Sequence, residues 1–197
     1  MPYELKSARY LARDALLQAV NAGDTVVDAT MGNGHDTLFL AEQVGPEGHV
    51  CAFDIQESAL ESTRALLEAH HAADRVTLFC QSHAELAGSV PAGIAAAVFN
   101  LGWLPGGDHT VTTRTASTRQ AVLAALELLK PGGIVTICAY PGHPEGEKEL
   151  EMLIQLLSSL SNRAYNVLRQ TFLNAGPGAP ECFVIQKLRS YSQKPST

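Results

Sequence analysis

Short apolar stretches alternate with longer amphipathic ones along most of this chain, and no other feature restricts the fold as much. Thr25–Ala29, His49–Asp54, Arg75–Cys80, Ala95–Phe99 and Ile134–Ala139 are short, apolar and flanked by Gly, Asp or Asn, and read as buried strands. Between them the apolar residues recur at helical spacing. Ala8, Ala12, Ala15, Leu16 and Ala19 share one face of a first helix, and Leu60, Thr63 and Leu67 one face of another. Val122, Ala125, Leu126 and Leu129 form a further stripe, as do Leu150, Leu153, Ile154 and Leu157. Pro131-Gly132-Gly133 is expected to end the helix that carries Val122 before the next strand begins. Strand and helix in this rhythm mean right-handed crossovers and a parallel sheet covered on both faces.

The rhythm breaks near the end. Tyr165–Leu173 and Cys182–Leu188 are strand candidates joined by Asn174–Pro180, a link too short for a crossover helix, so they are expected to pair as an antiparallel hairpin. The chain of 197 residues suits one domain, taken as residues 1–189, with 190–197 a frayed polar tail. Apolar residues are 46% and charged residues 17%, the reverse of a disordered composition. Lys and Arg number 14 against 20 Asp and Glu, a net charge of −6, so contact with nucleic acid would need a local basic patch. Cys51, Cys80, Cys138 and Cys182 form no CxxC pair and lie in strand-like runs, which suggests free buried thiols in a reducing compartment. Glu4, Lys6, Arg9, Arg13 and Asp14 interrupt any signal peptide, and no run reaches the ~18 apolar residues of a membrane span. A cytoplasmic protein with no membrane partner is expected.

The first strand runs into Asp28-Ala29-Thr30-Met31-Gly32-Asn33-Gly34-His35-Asp36. Glycines spaced by two between a strand and a helix let backbone approach a ligand closely, and the helix that follows turns its first N–H groups toward it. Thr37 stands where a full dinucleotide fingerprint has a third glycine. Asp54 closes the second strand, 20 residues after Gly34, where a carboxylate can accept both hydroxyls of a ribose. NAD and S-adenosylmethionine both carry such a ribose. Asp28 favours the second, because a pyrophosphate beside it would meet like charge, costing about 1 kcal/mol at 4 Å even in bulk water. The sulfonium and ammonium of the methyl donor would instead be attracted. Thr30, Asn33 and Asp36 in the same loop join the cofactor set, with Gln56 over the adenine and Ser82 and His83 after the third strand. The plainer reading makes Asp28 and Asp54 helix caps and Gln56 a solvated residue.

The fourth strand ends in Asn100-Leu101-Gly102-Trp103-Leu104-Pro105-Gly106-Gly107-Asp108-His109. Loops at carboxyl ends of parallel strands face one cleft. The order Asn, Gly, aromatic resembles the Asn-Pro-Pro-Tyr loop of amine-directed methyltransferases. The Asn100 carbonyl can hold an amine with its lone pair in line, and Trp103 can stack on a planar acceptor. Asp108 or His109 could take the proton that the amine loses. Asn100, Trp103 and Asp108 are therefore the catalytic candidates, Asn100 also bordering the cofactor. Packing for Trp103, a loop cap for Asp108 and a surface position for His109 are the competing readings. His143, in Tyr140-Pro141-Gly142-His143-Pro144, should line the rim. His35, His83, His109 and His143 lack metal-ligand spacing, and no metal is expected.

Together, Val27–Gly34, Phe53-Asp54-Ile55-Gln56, Asn100–Asp108 and Tyr140–His143 resemble the small bacterial methyltransferases grouped as rRNA methylases, over about Ala8 to Leu188. The resemblance implies a Rossmann-like class I fold with a seven-stranded, mostly parallel sheet, and S-adenosylmethionine as cofactor. It also implies methylation of the aminomethyl nitrogen of 5-aminomethyl-2-thiouridine at the tRNA wobble position, with the anticodon region as partner. Trp103 stands where that family often has Tyr, and Pro144-Glu145 where a Gly-rich stretch is expected. RNA contacts would come from Trp103, His109, Arg114, Arg119 and His143. Lys6, Arg9, Arg13, Lys187, Arg189 and Lys194 are further basic candidates, each also readable as a solvated charge. An rRNA or small-molecule methyltransferase, or a non-catalytic binder of cofactor or RNA, would use the same scaffold. Oligomeric state stays open, with a homodimer among the options.

Overall fold

The computed structural model describes residues 7–104 and 106–189. Lys6, Pro105, Lys194 and the expected polar tail lie outside the described residues. The helices are α1 (Ala8–Ala19), α2 (His35–Val44), α3 (Glu57–Ala69), α4 (Leu86–Ser89), α5 (Thr115–Leu128) and α6 (Pro144–Ser158). The strands are β1 (Thr25–Asp28), β2 (His49–Asp54), β3 (Val76–Cys80), β4 (Ile94–Asn100), β5 (Leu129–Ala139), β6 (Tyr165–Gln170) and β7 (Glu181–Lys187). They form one seven-stranded sheet in the order β3-β2-β1-β4-β5-β7-β6, in which β7 pairs antiparallel with both β5 and β6. The remaining pairs are parallel. The chain reverses its direction of travel across the sheet between β1 and β4, and a crevice opens beyond their carboxyl ends.

Strand periodicity sorts the core into two layers. Val27, Phe53, Ala97, Phe99, Val135 and Ile137 pack toward α5 and α6, with Val122, Ala125, Leu153 and Leu157. Val26, Val50, Ala96, Val98 and Ile134 point the other way, toward α1, α2 and α3, with Leu16, Leu40 and Leu67. The amino-terminal half of α1 rests by Ala8 and Ala12 on Cys138 and Cys182, which face each other across β5 and β7 as free thiols.

Several local expectations need correction. Pro131-Gly132-Gly133 does not separate a helix from a strand; α5 stops at Leu128 and these residues bulge within β5. Between the pairs Ile94–Leu129 and Ala96–Ile134, β5 advances five residues while β4 advances two. Gly132 takes φ +87°, and a Cβ on Gly133 would stand 2.9 Å from the Ala95 carbonyl oxygen, so the bulge needs both glycines. Strand β6 stops at Gln170, and Leu173 is fully exposed. Cys80 is exposed, because β3 is the edge strand at the other end of the sheet. Pro144 opens α6 at a first-turn position, where its missing N–H is harmless, and the His143 Nδ1 caps the helix by accepting from the Gly146 N–H at 3.2 Å. No helix among the described residues is long and apolar enough to cross a membrane.

Candidate active site

A cavity of about 890 Å³ lies beyond the carboxyl ends of β1, β2, β4 and β5, a volume typical of a small-molecule site. Its floor is the β1–α2 loop. Gly32 takes φ +52°, donates its N–H to Asp54 Oδ2 at 3.1 Å, and accepts at its carbonyl from Thr63 Oγ1 at 3.0 Å. The loop is thus tied to β2 on one side and α3 on the other. Gly34 answers a different need. It has φ +81°, and a Cβ there would stand 2.9 Å from Thr63, so it lets α3 approach and does not line the cavity.

Asp54 presents a half-buried carboxylate whose Oδ1 accepts from the Gln56 N–H at 3.0 Å. Burial pushes its pKa up, and the backbone donors at Gln56 and Gly32 oppose that. Each oxygen keeps a lone pair for a ligand hydroxyl. Thr30, Asn33, Gln56 and Ser82 line the same cavity. The Thr30 Oγ1 accepts from the Asn100 N–H at 2.7 Å, which joins the β1 and β4 loops. Ser82 Oγ accepts from the Ala84 N–H, 3.2 Å away. His83 borders the cavity, with Nδ1 3.2 Å from the Ala29 carbonyl, so this nitrogen carries the proton and Nε2 is a bare acceptor without a partner among the described residues. Burial lowers the His83 pKa.

Asp28 departs from its expected place beside the ligand. It is fully buried, does not line the cavity, and accepts from Thr30 N–H at 3.1 Å and Thr37 Oγ1 at 2.7 Å. Alternation along β1 turns position 28 to the face of Val26, under α2. Desolvation, with the nearby Asp36 charge second, pushes its pKa from 3.8 up to about 7. A carboxyl whose folded pKa is raised stabilises the fold below its unfolded pKa and loses that contribution as pH rises to its folded value. The melting temperature of the wild type should therefore fall relative to Asp28→Asn between about pH 4 and pH 7, on the order of 10 °C. Parallel pH profiles for the two proteins would refute this.

Asp36 is in the first turn of α2, 6% exposed. Its Oδ2 lies 3.0 Å from Arg9 Nε, its Oδ1 2.6 Å from Arg13 Nη2, and its Oδ2 accepts from Asn100 Nδ2 at 2.8 Å. Asp36 lines the cavity with the rest of the expected cofactor set, and both of its oxygens are already engaged by protein donors. Asn100 ends β4 in the cavity wall, and its Oδ1 has no partner among the described residues.

Opposite stands Trp103, with the His109 ring stacked at 4.3 Å and the His143 ring tilted at 4.5 Å. The surface expected to receive a planar acceptor is thus already packed against two imidazoles. Trp103, His143 and Arg114 line the cavity; His109, Asp108 and Arg119 do not. Asp108 is exposed, lies outside the cavity lining where a proton acceptor is expected, and caps its own loop by accepting from the Thr110 N–H at 2.8 Å. Arg119 is exposed on α5. Among the described residues no group of three His, Cys, Asp or Glu could hold a metal. His109 and His143 converge on Trp103 instead.

The sequence pattern missed several supports. Arg9 reaches the cavity from α1 rather than serving only as a surface charge. Thr113 clamps the β4 loop: the Gly102 N–H donates to its Oγ1 at 2.8 Å, and that hydroxyl donates to the buried Glu149 at 2.7 Å. Thr118 donates to the other Glu149 oxygen. Gly178, from the β6–β7 link, meets Gly142 at the rim, with 3.2 Å from its Cβ position to the Gly142 Cα. Only the Pro-Gly run of that link hinted at such close approach.

The family model described as "Putative rRNA methylase" matches residues 50–186. A chloroplastic tRNA (mnm(5)s(2)U34)-methyltransferase of Arabidopsis thaliana is 40% identical over 158 residues, which are 75% of this chain and 58% of that protein. The chain thus spans little more than half the length of that relative. A Clostridium thermocellum structure bearing the rRNA-methylase description superposes with a TM-score of 0.92 at 39% identity, covering 94% of this chain and 100% of that one. A Streptococcus mutans protein solved in complex with SAH gives 0.86 at 35% identity, with the same coverage.

Proposed function

Because this chain belongs to the rRNA methylase family, we propose that it is an S-adenosylmethionine-dependent RNA methyltransferase acting on the aminomethyl nitrogen of 5-aminomethyl-2-thiouridine at the tRNA wobble position. One observation carries the choice of an amine: Asn100 ends β4 at the cavity with its amide nitrogen bonded to Asp36 and its Oδ1 without a partner among the described residues. Such a carbonyl oxygen calls for an acceptor that donates a hydrogen bond, as a primary amine does. The Arabidopsis relative, whose name specifies mnm(5)s(2)U34, the methylated form of that nucleoside, supports the finer assignment. The cavity suits the cofactor on its own terms. It offers a carboxylate at the end of β2 and glycine backbone beside it, with His83 in the same lining.

S-adenosylmethionine supplies an electrophilic methyl group on a sulfonium. Asp54 accepts the ribose hydroxyls, and Gly32 keeps the floor free of a side chain. Asn100 Oδ1 accepts one N–H of the neutral amine and aims its lone pair, an effect of orientation rather than of covalent chemistry. Trp103 and His143 line the acceptor side, with His109 stacked on Trp103, and Arg114 in the same lining offers a charge to an RNA phosphate.

The test is to incubate enzyme and labelled cofactor with tRNA from a strain lacking the enzyme and, in parallel, with bulk rRNA. Mass spectrometry of the nucleosides should find one added methyl group on 5-aminomethyl-2-thiouridine. Label confined to rRNA would overturn the wobble assignment and leave the methyltransferase standing.

A further inference from the structure

We infer that Asp36 is a positioning residue, which holds the Asn100 carboxamide with its oxygen toward the cavity and so selects acceptors that donate a hydrogen bond. The inference rests on the proposed role of Asn100 and adds the group that sets its direction. An ionised carboxylate can only accept. Only the NH2 end of Asn100 can therefore face Asp36, and the bond is 2.8 Å long. The Asn100 backbone is separately pinned, because its N–H donates to Thr30 Oγ1 at 2.7 Å. What remains free is rotation of the amide about its last bond, and Asp36 removes it.

The charge on Asp36 is itself maintained. Burial alone would raise its pKa, but hydrogen bonds and charge from Arg9 and Arg13 override this and hold it below the ordinary carboxylate value. Arg9 binds through Nε and Nη2, and Arg13 through Nε and Nη2. Both guanidinium groups come from α1, one turn apart on the same face. A protonated Asp36 could donate to Asn100 Oδ1 and let the amide invert; the two arginines exclude that state. Helix α1, outside the β/α repeat, thereby sets the polarity of the acceptor site. A site built this way accepts an amine N–H and disfavours an acceptor-only ring nitrogen, whose lone pair would face the Asn100 oxygen.

The experiment is a double-substitution cycle on the full chain, with hypomodified tRNA as substrate. Asp36→Asn should lower kcat about tenfold or more while KM for tRNA and Kd for the cofactor stay within about threefold. In an Asn100→Ala background the same substitution should change kcat by less than about twofold, since its effect runs through Asn100. Unchanged kcat in Asp36→Asn, or an equal loss in both backgrounds, overturns the inference; the second result would mark a purely structural role. Should Asn100→Ala by itself keep full turnover, the underlying reading of Asn100 fails instead. If Asp36→Asn does not fold, nitrogen-proton NMR of the wild type decides. The Asn100 side-chain amide, identified by its absence in Asn100→Ala, should show one downfield proton protected from exchange. Two exposed-type amide protons would overturn the inference.

Discussion

Asn100→Ala should reduce turnover by about 10²- to 10³-fold and leave cofactor affinity within about threefold. The expectation follows from the position of the side chain. Its backbone N–H is held by Thr30 and its strand is buried, so alanine can keep the loop in place. Asp36 would lose one donor but retain both arginines, so no buried charge is left alone. What disappears is the carboxamide of a cavity-lining residue at the end of β4. A loss confined to kcat is the signature of an interaction that matters most as the methyl moves. Single-turnover rates with saturating cofactor, set beside calorimetric binding, separate the two quantities. A rate within about twofold of wild type would remove Asn100 from the mechanism.

Asp54→Ala should do the opposite and weaken cofactor binding by about 10²-fold. Hydrogen bonds to a charged group contribute about 1.5–3 kcal/mol each, and one carboxylate can bind two ribose hydroxyls. The alanine variant also strips the Gly32 and Gln56 N–H groups of their acceptor, which loosens the loop that forms the floor. Asp54→Asn should lose less, because it keeps one acceptor oxygen and can still hold one of those N–H groups. Calorimetry with S-adenosylmethionine checks the order wild type, Asn, Ala. Equal affinity in wild type and Ala would show that Asp54 only braces the loop.

Part of this site is legible in the amino-acid sequence. Asp54, Gly32, Asn100 and Trp103 are recognisable because each lies just after an apolar run, and position after a strand is a local property. Asp28 misleads for a geometric reason. It is also at a strand end, but a shift of one residue along a strand turns a side chain to the other face, and position 28 lies under α2. Asp36 reads as part of the cofactor loop, yet it binds residues 27 and 64 positions away, Arg9 and Asn100. Nothing in the spacing of those residues announces their contact. Glu149 is part of no motif, although it anchors the Asn100 loop through Thr113.

The order of strands and helices, the closing hairpin and the loops that meet at one edge of the sheet are all written in the chain itself. Those follow from hydrophobic period and from glycine and proline, which act over a few neighbouring residues. Folding alone settles which way the acids point, that α1 delivers two arginines to Asp36, and that Asn100 gives its amide nitrogen to the same carboxylate. These depend on helix packing across the sheet and on strand register, where distant residues meet and a single-residue shift exchanges ligand for core.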